Sequence, residues 1–400
     1  MSFDGLVIVC AVAFVAPLLL ALAPRLRFPA VVFEILVGIA IGPNGLGWVS
    51  MDEPIRVLSM LGLAFLLFLS GLEIDFMLLA GRRLQAAILG FVASVAIGFM
   101  LALGLSAAGL VESPLLIALC LSTTAPGIVL PVLKDAGLLK SEFGQLIMGA
   151  TSIAAFGTIL LLSFLFSRES SSAVTKFVLL GGFAALAIVI ALAMRAAGQW
   201  QSLGGALLRL QDSTSQIRIR GAFLIMVALA ALASRQGLQL ILGAFVAGAL
   251  VSIVDRDYQS THPKFRDKLE AIGFGVFIPA FFISSGIRFD VGALFSSSGA
   301  LLRVPIFLVA LLAARGVPAL LYRPFMGPRR LVVASLLQAT SLPFIVAIAA
   351  IGVELNELTR PNASALVAAG LLSVVFFPTT ALALIRRDGA GAAPSQAVVR

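Results

Sequence analysis

The sequence predicts an all-α polytopic membrane protein of about thirteen spans, built from inverted-topology repeats with two crossed discontinuous helices. The mean hydropathy is +1.10 with only 12% charged residues, beyond what a soluble chain of this length tolerates. Apolar runs of bilayer-crossing length recur from end to end, which favours helices over the short alternating strands of a barrel. Thirdly, two motifs recur at offsets that agree to within two residues, over more than half the chain.

The spans fall at about 5–23, 29–42, 55–72, 85–110, 114–133, 143–167, 174–195, 217–234, 237–254, 271–287, 299–321, 331–351 and 363–385. The first follows an opening without the basic region of a cleavable signal and is expected to be retained. The second is the shortest and ends in "GPNGLG", most simply a turn. The fifth and twelfth hold Thr and Pro in their interiors. In the ninth, Gly243 and Ala247 stand four residues apart, a spacing that lets helices pack closely or could serve a dimer. The tail after residue 385 is too short for a nucleotide-binding regulatory domain.

An odd number of spans puts the termini on opposite sides. Of the 28 basic residues, 20 fall on one side, among them Arg82, Arg83, Lys134, Lys140, Arg329 and Arg330. Seven fall on the other, and Arg315 lies inside a span. The excess marks the cytoplasmic face, with the N-terminus outside and the C-terminus inside. The net charge of +9 is spread over short loops, so no nucleic-acid partner is implied. Cys10 and Cys120 are isolated within spans and the one histidine, His262, is in a loop; no cofactor, divalent metal site or histidine-based catalysis is expected.

"FLLFLSGLEIDF" (65–76) and "PAFFISSGIRFD" (279–290) both end an apolar span with Ser-Gly, a charge and an Asp. Gly71 and Gly286 are 215 residues apart; Pro126 of "STTAPG" and Pro343 of "ATSLPF" are 217 apart. That offset equals seven spans, so the copies run in opposite directions through the membrane, as in many secondary transporters. Thr123, Thr124 and Pro126 thereby match Thr340, Ser341 and Pro343. A proline kink with Thr satisfying the loosened carbonyl is the ordinary reading of either helix alone. For the symmetric pair, two broken helices around a substrate site is the better one, since freed backbone groups at membrane depth must line protein or a wet cavity.

Arg315, in "LLAARGVPALLY", has two readings: snorkelling to the nearer interface, or standing as a fixed cation that answers the carbonyl ends of the broken helices. It would not be a proton carrier, because arginine keeps its proton in the working range. A cation site also needs an acid, expected in the sixth span. There Thr151, Ala155 and Thr158 share a face, with Ser152 beside them, and Ala155 stands where the acid would fit. Glu73, Asp75 and Asp135 do not replace it, since all three read as interfacial groups.

The stretches "VVFEILVGIAIGPNGLG", "FLLFLSGLEID", "STTAPGIVLPVLKD", "LGAFVAGALV", "LEAIGFGVFIPAFFISSGIRFD" and "LLQATSLPF" together resemble bacterial monovalent cation/proton antiporters of the second antiporter class, related to Kef-type transport cores. The resemblance implies the sodium/proton antiporter fold: a panel from 1–84 and 217–298, a mobile core from 85–167 and 299–385, a linker at 168–216 and a cytoplasmic tail at 386–400. It implies an elevator-type movement of that core, a sixth-span acid that binds cation and proton in turn, and a basic residue where Arg315 stands. Ala155 departs from this pattern, either by a substitution that removes the acid or by natural divergence.

The resulting expectation is electroneutral exchange of Na+ or K+ for H+ across a bacterial cytoplasmic membrane. Thr123, Thr124, Pro126, Ser152, Thr340, Ser341 and Pro343 would form the ion path, with Thr124 and Ser152 as cation ligands and Arg315 as compensating charge. Partners would be membrane lipid and a second copy; a separate regulatory subunit stays open. The alternative is a carboxylate-free relative acting as a sensor or scaffold, or carrying a non-cationic substrate.

Overall fold

The computed structural model describes residues 3–22, 30–73, 81–166, 173–199, 216–256, 264–295 and 298–390. Outside them lie Asp75, His262, most of the expected linker's loop and residues 391–400 of the expected tail. Regular structure among the described residues is entirely helical. Nine segments among the described residues are long and apolar enough to cross a membrane, accompanied by four shorter apolar helices.

The chain divides into two compact units, 1–75 with 156–291, and 76–155 with 292–400. The first contains α1 (Asp4–Leu22), α2 (Ala30–Ile41) and α3 (Glu53–Leu72). The second begins with α4 (Gly81–Ala107), α5 (Pro114–Ser122) and α6 (Pro126–Asp135). The following helix, α7 (Glu142–Leu165), is shared, the division falling between Ala155 and Phe156. The first unit resumes with α8 (Ala173–Gln199), α9 (Ile217–Arg235), α10 (Leu240–Arg256), α11 (Lys264–Ile272) and α12 (Ile278–Ile287). After α13 (Val291–Phe295), the second unit closes with α14 (Ser298–Gly316), α15 (Pro328–Gln338), α16 (Leu342–Glu354) and α17 (Arg360–Ala390).

The first unit is organised by backbone-on-backbone crossings that only glycine permits. Where α3 meets α10, a Cβ on Gly71 would strike the carbonyl of Phe245, and one on Gly248 that of Phe68. Where α2 meets α12, Gly38 faces Ile283 and Gly286 faces Ile35 in the same way. The two Ser-Gly landmarks of the sequence thus sit at crossings, where a missing side chain lets carbonyls approach. Gly243 packs on Leu229 of α9, and Gly248 opposes α3.

Two local features differ from a plain reading of the sequence. "GPNGLG" turns with Gly47 at φ 68°, and Asn44 Nδ2 donates to the Phe289 carbonyl at 3.1 Å, so the turn also fastens "GIRFD". The span expected at 271–287 is not one α-helix. Between α11 and α12 lies a π turn, Gly273–Phe277, closed by the Ile278 N–H on the Gly273 carbonyl. Pro279, just beyond, supplies no N–H and crowds the carbonyl four residues back; the wider turn relieves both.

In the second unit α14, α15 and α16 pack on α17, while α14 and α5 pack on α4. Its core joins Val129 and Leu133 of α6, Leu146, Ile147 and Ala150 of α7, and Ala334 and Leu337 of α15, all buried. The segment Val317–Phe325 is a 3-10 helix rather than the α-helical end of a span, since Pro318 and Pro324 bracket it. It buries Tyr322, whose hydroxyl fills the space above Gly90 of α4.

Candidate functional site

The fifth and twelfth spans are each two helices. The first breaks between Ser122 and Pro126, the second between Gln338 and Leu342. Proline therefore does not kink a continuous helix here. Pro126 opens α6 and Pro343 lies in the first turn of α16, positions where the missing N–H has no intrahelical acceptor to lose. The breaks hold each other: the Ala125 N–H donates to the Thr340 carbonyl at 2.9 Å. Two carboxyl ends (α5, α15) and two amino ends (α6, α16) thus meet within the second unit, bringing partial charges of both signs to one place.

Arg315 answers the negative ends. It is 2% exposed, so its guanidinium is turned inward rather than to an interface. Nε donates to Thr124 Oγ1 at 2.8 Å and toward the Gln338 carbonyl at 3.4 Å. Nη1 donates to Ser94 Oγ at 2.9 Å, and Nη2 donates to Gln338 Oε1. Thr124 Oγ1 in turn donates to the Gln338 carbonyl at 2.5 Å, so one hydroxyl accepts from the cation and donates to the last turn of α15. These hydrogen-bond partners, among the described residues, are all neutral. A buried guanidinium held only by dipoles keeps its full positive charge in the site, and a carboxylate would be attracted there.

The remaining residues named from the sequence are all buried, with Thr123, Ala155, Thr340 and Ser341 at 0% exposure. Among the described residues, Thr123 Oγ1 and Ser341 Oγ, one in each break, are buried with no hydrogen-bond partner, and so is Thr151 Oγ1 on α7. Thr340 is occupied: its hydroxyl donates to the Leu336 carbonyl at 3.1 Å. Thr124 is occupied as well, by Arg315 and Gln338. Ser152 is 5% exposed, and Ala155 carries no polar group. The orphan hydroxyls matter because burying one without a partner costs about 1–3 kcal/mol. They are oxygen donors of the kind a dehydrated monovalent cation takes.

Sequence reasoning missed Ser94 and Gln338. Ser94 Oγ accepts from Arg315 while donating to the Gly90 carbonyl at 2.8 Å, and its own carbonyl receives Ser122 Oγ at 3.2 Å. Its only sequence signal is a serine in the apolar middle of α4. Gln338 is a large amide inside an apolar span, 1% exposed, a residue type that is buried only with partners. That signal was available in "LLQATSLPF" and pointed to a partner without naming it.

The sodium/hydrogen exchanger transmembrane family model matches residues 10–386. The Bacillus subtilis protein YjbQ is 31% identical over 402 residues, covering 97% of this chain; the chain spans 64% of that relative's length. The Na(+)/H(+)-K(+) antiporter GerN of Bacillus cereus is 30% identical over 280 residues, 67% of this chain and 68% of its own. Among solved structures, the sodium proton antiporter MjNhaP1 of Methanocaldococcus jannaschii superposes with a TM-score of 0.67 at 14% identity, covering 96% of this chain and 98% of that one.

Proposed function

The chain belongs to the sodium/hydrogen exchanger family, and from that premise we propose that its parent form exchanges a monovalent cation for H+ at one site, as a secondary transporter. The observation that carries the proposal is the pair of hydrogen-bonded helix breaks with an orphan buried hydroxyl in each, Thr123 and Ser341, in the unit that also holds Arg315. Unpaired hydroxyls and half-helix carboxyl ends replace part of a cation's hydration shell. An acid at position 155 would bind either the cation or a proton, and competition between them couples the two fluxes.

Arg315 gives up no proton in the working range, so one titratable group exchanges one charge for one charge. Such exchange moves no net charge and is insensitive to membrane voltage. Alternating access by an elevator-type displacement of the unit holding Arg315, a second copy as partner, and an N-terminus outside with the C-terminus cytoplasmic complete the proposal. Of the cations, sodium and potassium both fit; the name of the Bacillus cereus relative includes both.

In this chain position 155 is Ala, and the proposal makes it an inactive form. The test is cation-dependent proton flux in proteoliposomes for the Ala155 chain beside Ala155→Asp and Ala155→Glu. Flux restored by either acid, and unchanged by a voltage clamp, is expected. No gain over the Ala155 chain, for sodium or potassium, overturns the reading.

A second reading has one observation in its favour: among the described residues, Arg315 is held by neutral groups and not by an acid. A carboxylate-free relative, acting as a sensor or scaffold or carrying a non-cationic substrate, would look this way. An acid codon at 155 in the source gene excludes it.

A further inference from the structure

Gln338, which the sequence did not single out, bonds to three parts of the site. Its Oε1 accepts from Arg315 Nη2, its Nε2 donates to the Ile147 carbonyl of α7 at 3.3 Å, and its main-chain carbonyl accepts from Thr124 Oγ1. One amide therefore ties α14 to α7 while its backbone ties α15 to the break between α5 and α6. An α-helical carbonyl points toward the amide four residues on, so that of Ile147 lies level with Thr151, one turn short of position 155.

We propose that Gln338 is a positioning residue: it gives Arg315 a neutral acceptor and ties that acceptor to the Ile147 carbonyl, so that an acid at position 155 is left for cation and proton rather than spent on an ion pair. The inference rests on the antiporter reading above for its transport consequence, but its geometric part belongs to the chain as it stands.

Arginine would otherwise be a direct competitor of the transported cation. An opposite charge within about 4–6 Å lowers a carboxyl pKa by about 1–3 units, which would keep the acid ionised and paired when it should accept a proton. The amide prevents this without bringing a charge of its own. A glutamate at 338 would hold Arg315 too, but its negative charge would make an acid at 155 harder to ionise.

Two measurements test the proposal. The first uses the Ala155 chain in detergent and compares the melting loss caused by Gln338→Leu with Arg315 present and in the Arg315→Met background. If the amide acts on Arg315, the loss of several degrees seen with Arg315 falls by at least half without it. An equal loss in both backgrounds overturns the proposal.

The second adds Gln338→Leu or Gln338→Glu to Ala155→Asp and reads the pH of half-maximal flux and the cation KM. Gln338→Leu should move the midpoint acidward by about one unit and raise KM several-fold, as Arg315 turns to the acid. Gln338→Glu should move the midpoint the other way. Shifts of the same sign, or loss of rate at an unmoved midpoint, indicate mere support and overturn the proposal. If neither Ala155→Asp nor Ala155→Glu gives flux, the antiporter reading fails, and the melting comparison decides the role of Gln338 by itself.

Discussion

Gly248→Ala adds one methyl group to α10 where α3 leaves no room for it. The new Cβ would lie 2.8 Å from the carbonyl carbon and closer still to the carbonyl oxygen of Phe68, and 2.9 Å from the Leu72 nitrogen. All are backbone atoms, which cannot rotate aside as a side chain can. Ordinary van der Waals separation starts near 3.4 Å, so the helices must part by at least half an ångström along a crossing that buries Phe65, Phe68 and Phe245. Forcing a methyl into a packed interior costs about 1–3 kcal/mol. Alanine recovers about 0.5–1 kcal/mol of helix preference over glycine, leaving a net loss of about 0–2.5 kcal/mol, centred a little above 1 kcal/mol.

The control is Gly104→Ala on α4, where a Cβ meets nothing within 4 Å. There only the helix preference acts, and the change should be neutral or stabilising. Thermal unfolding of both variants in one detergent, beside the unsubstituted chain, measures the contrast. Equal melting temperatures for the two variants would refute the argument that the α3–α10 crossing depends on a missing side chain.

Thr124→Val keeps the shape but removes the hydroxyl that joins Arg315 to the Gln338 carbonyl; a loss of about 1–3 kcal/mol is expected by thermal unfolding, with Thr124→Ser losing less than half of it. Glu73, just past the end of α3, has a carboxyl pushed up to about 7 by burial; Arg266 opposes the shift and Glu270 adds to it. The folded chain then keeps a proton that the unfolded chain releases near 4.5. Its contribution to stability is full below 4.5, is lost as the pH rises to about 7 and is flat beyond. Melting between pH 4 and 8 should show that decline, and Glu73→Gln should flatten it; an unchanged slope refutes the assignment to Glu73.

Much of this protein was legible because lipid imposes local rules. Hydropathy and run length mark the spans, since each backbone polar group in hydrocarbon must be satisfied within its own helix. Proline and threonine at corresponding points of two spans marked the breaks, because proline starts a helix more readily than it sits inside one. Arg315 stood out for the same reason, a charge at membrane depth being too costly to be idle. Position 155 was reached by helical spacing with the family resemblance, and Ala155 is buried on α7.

What the sequence determined by itself, then, was the class of protein, the rhythm of its spans and the residues whose chemistry conflicts with a lipid surrounding. Only the tertiary structure decided which neutral groups settle those conflicts. Ser94 and Gln338 lie 221 and 23 residues from Arg315, and the Ile147 carbonyl lies 191 from Gln338. Such bonds depend on the angles at which helices cross. Those angles depend in turn on backbone approach at places such as Gly248 and Phe68, or Gly38 and Ile283. Hydropathy records the solvent each residue faces, whereas a hydrogen bond across a crossing needs two helices placed to within a fraction of an ångström, which packing alone supplies.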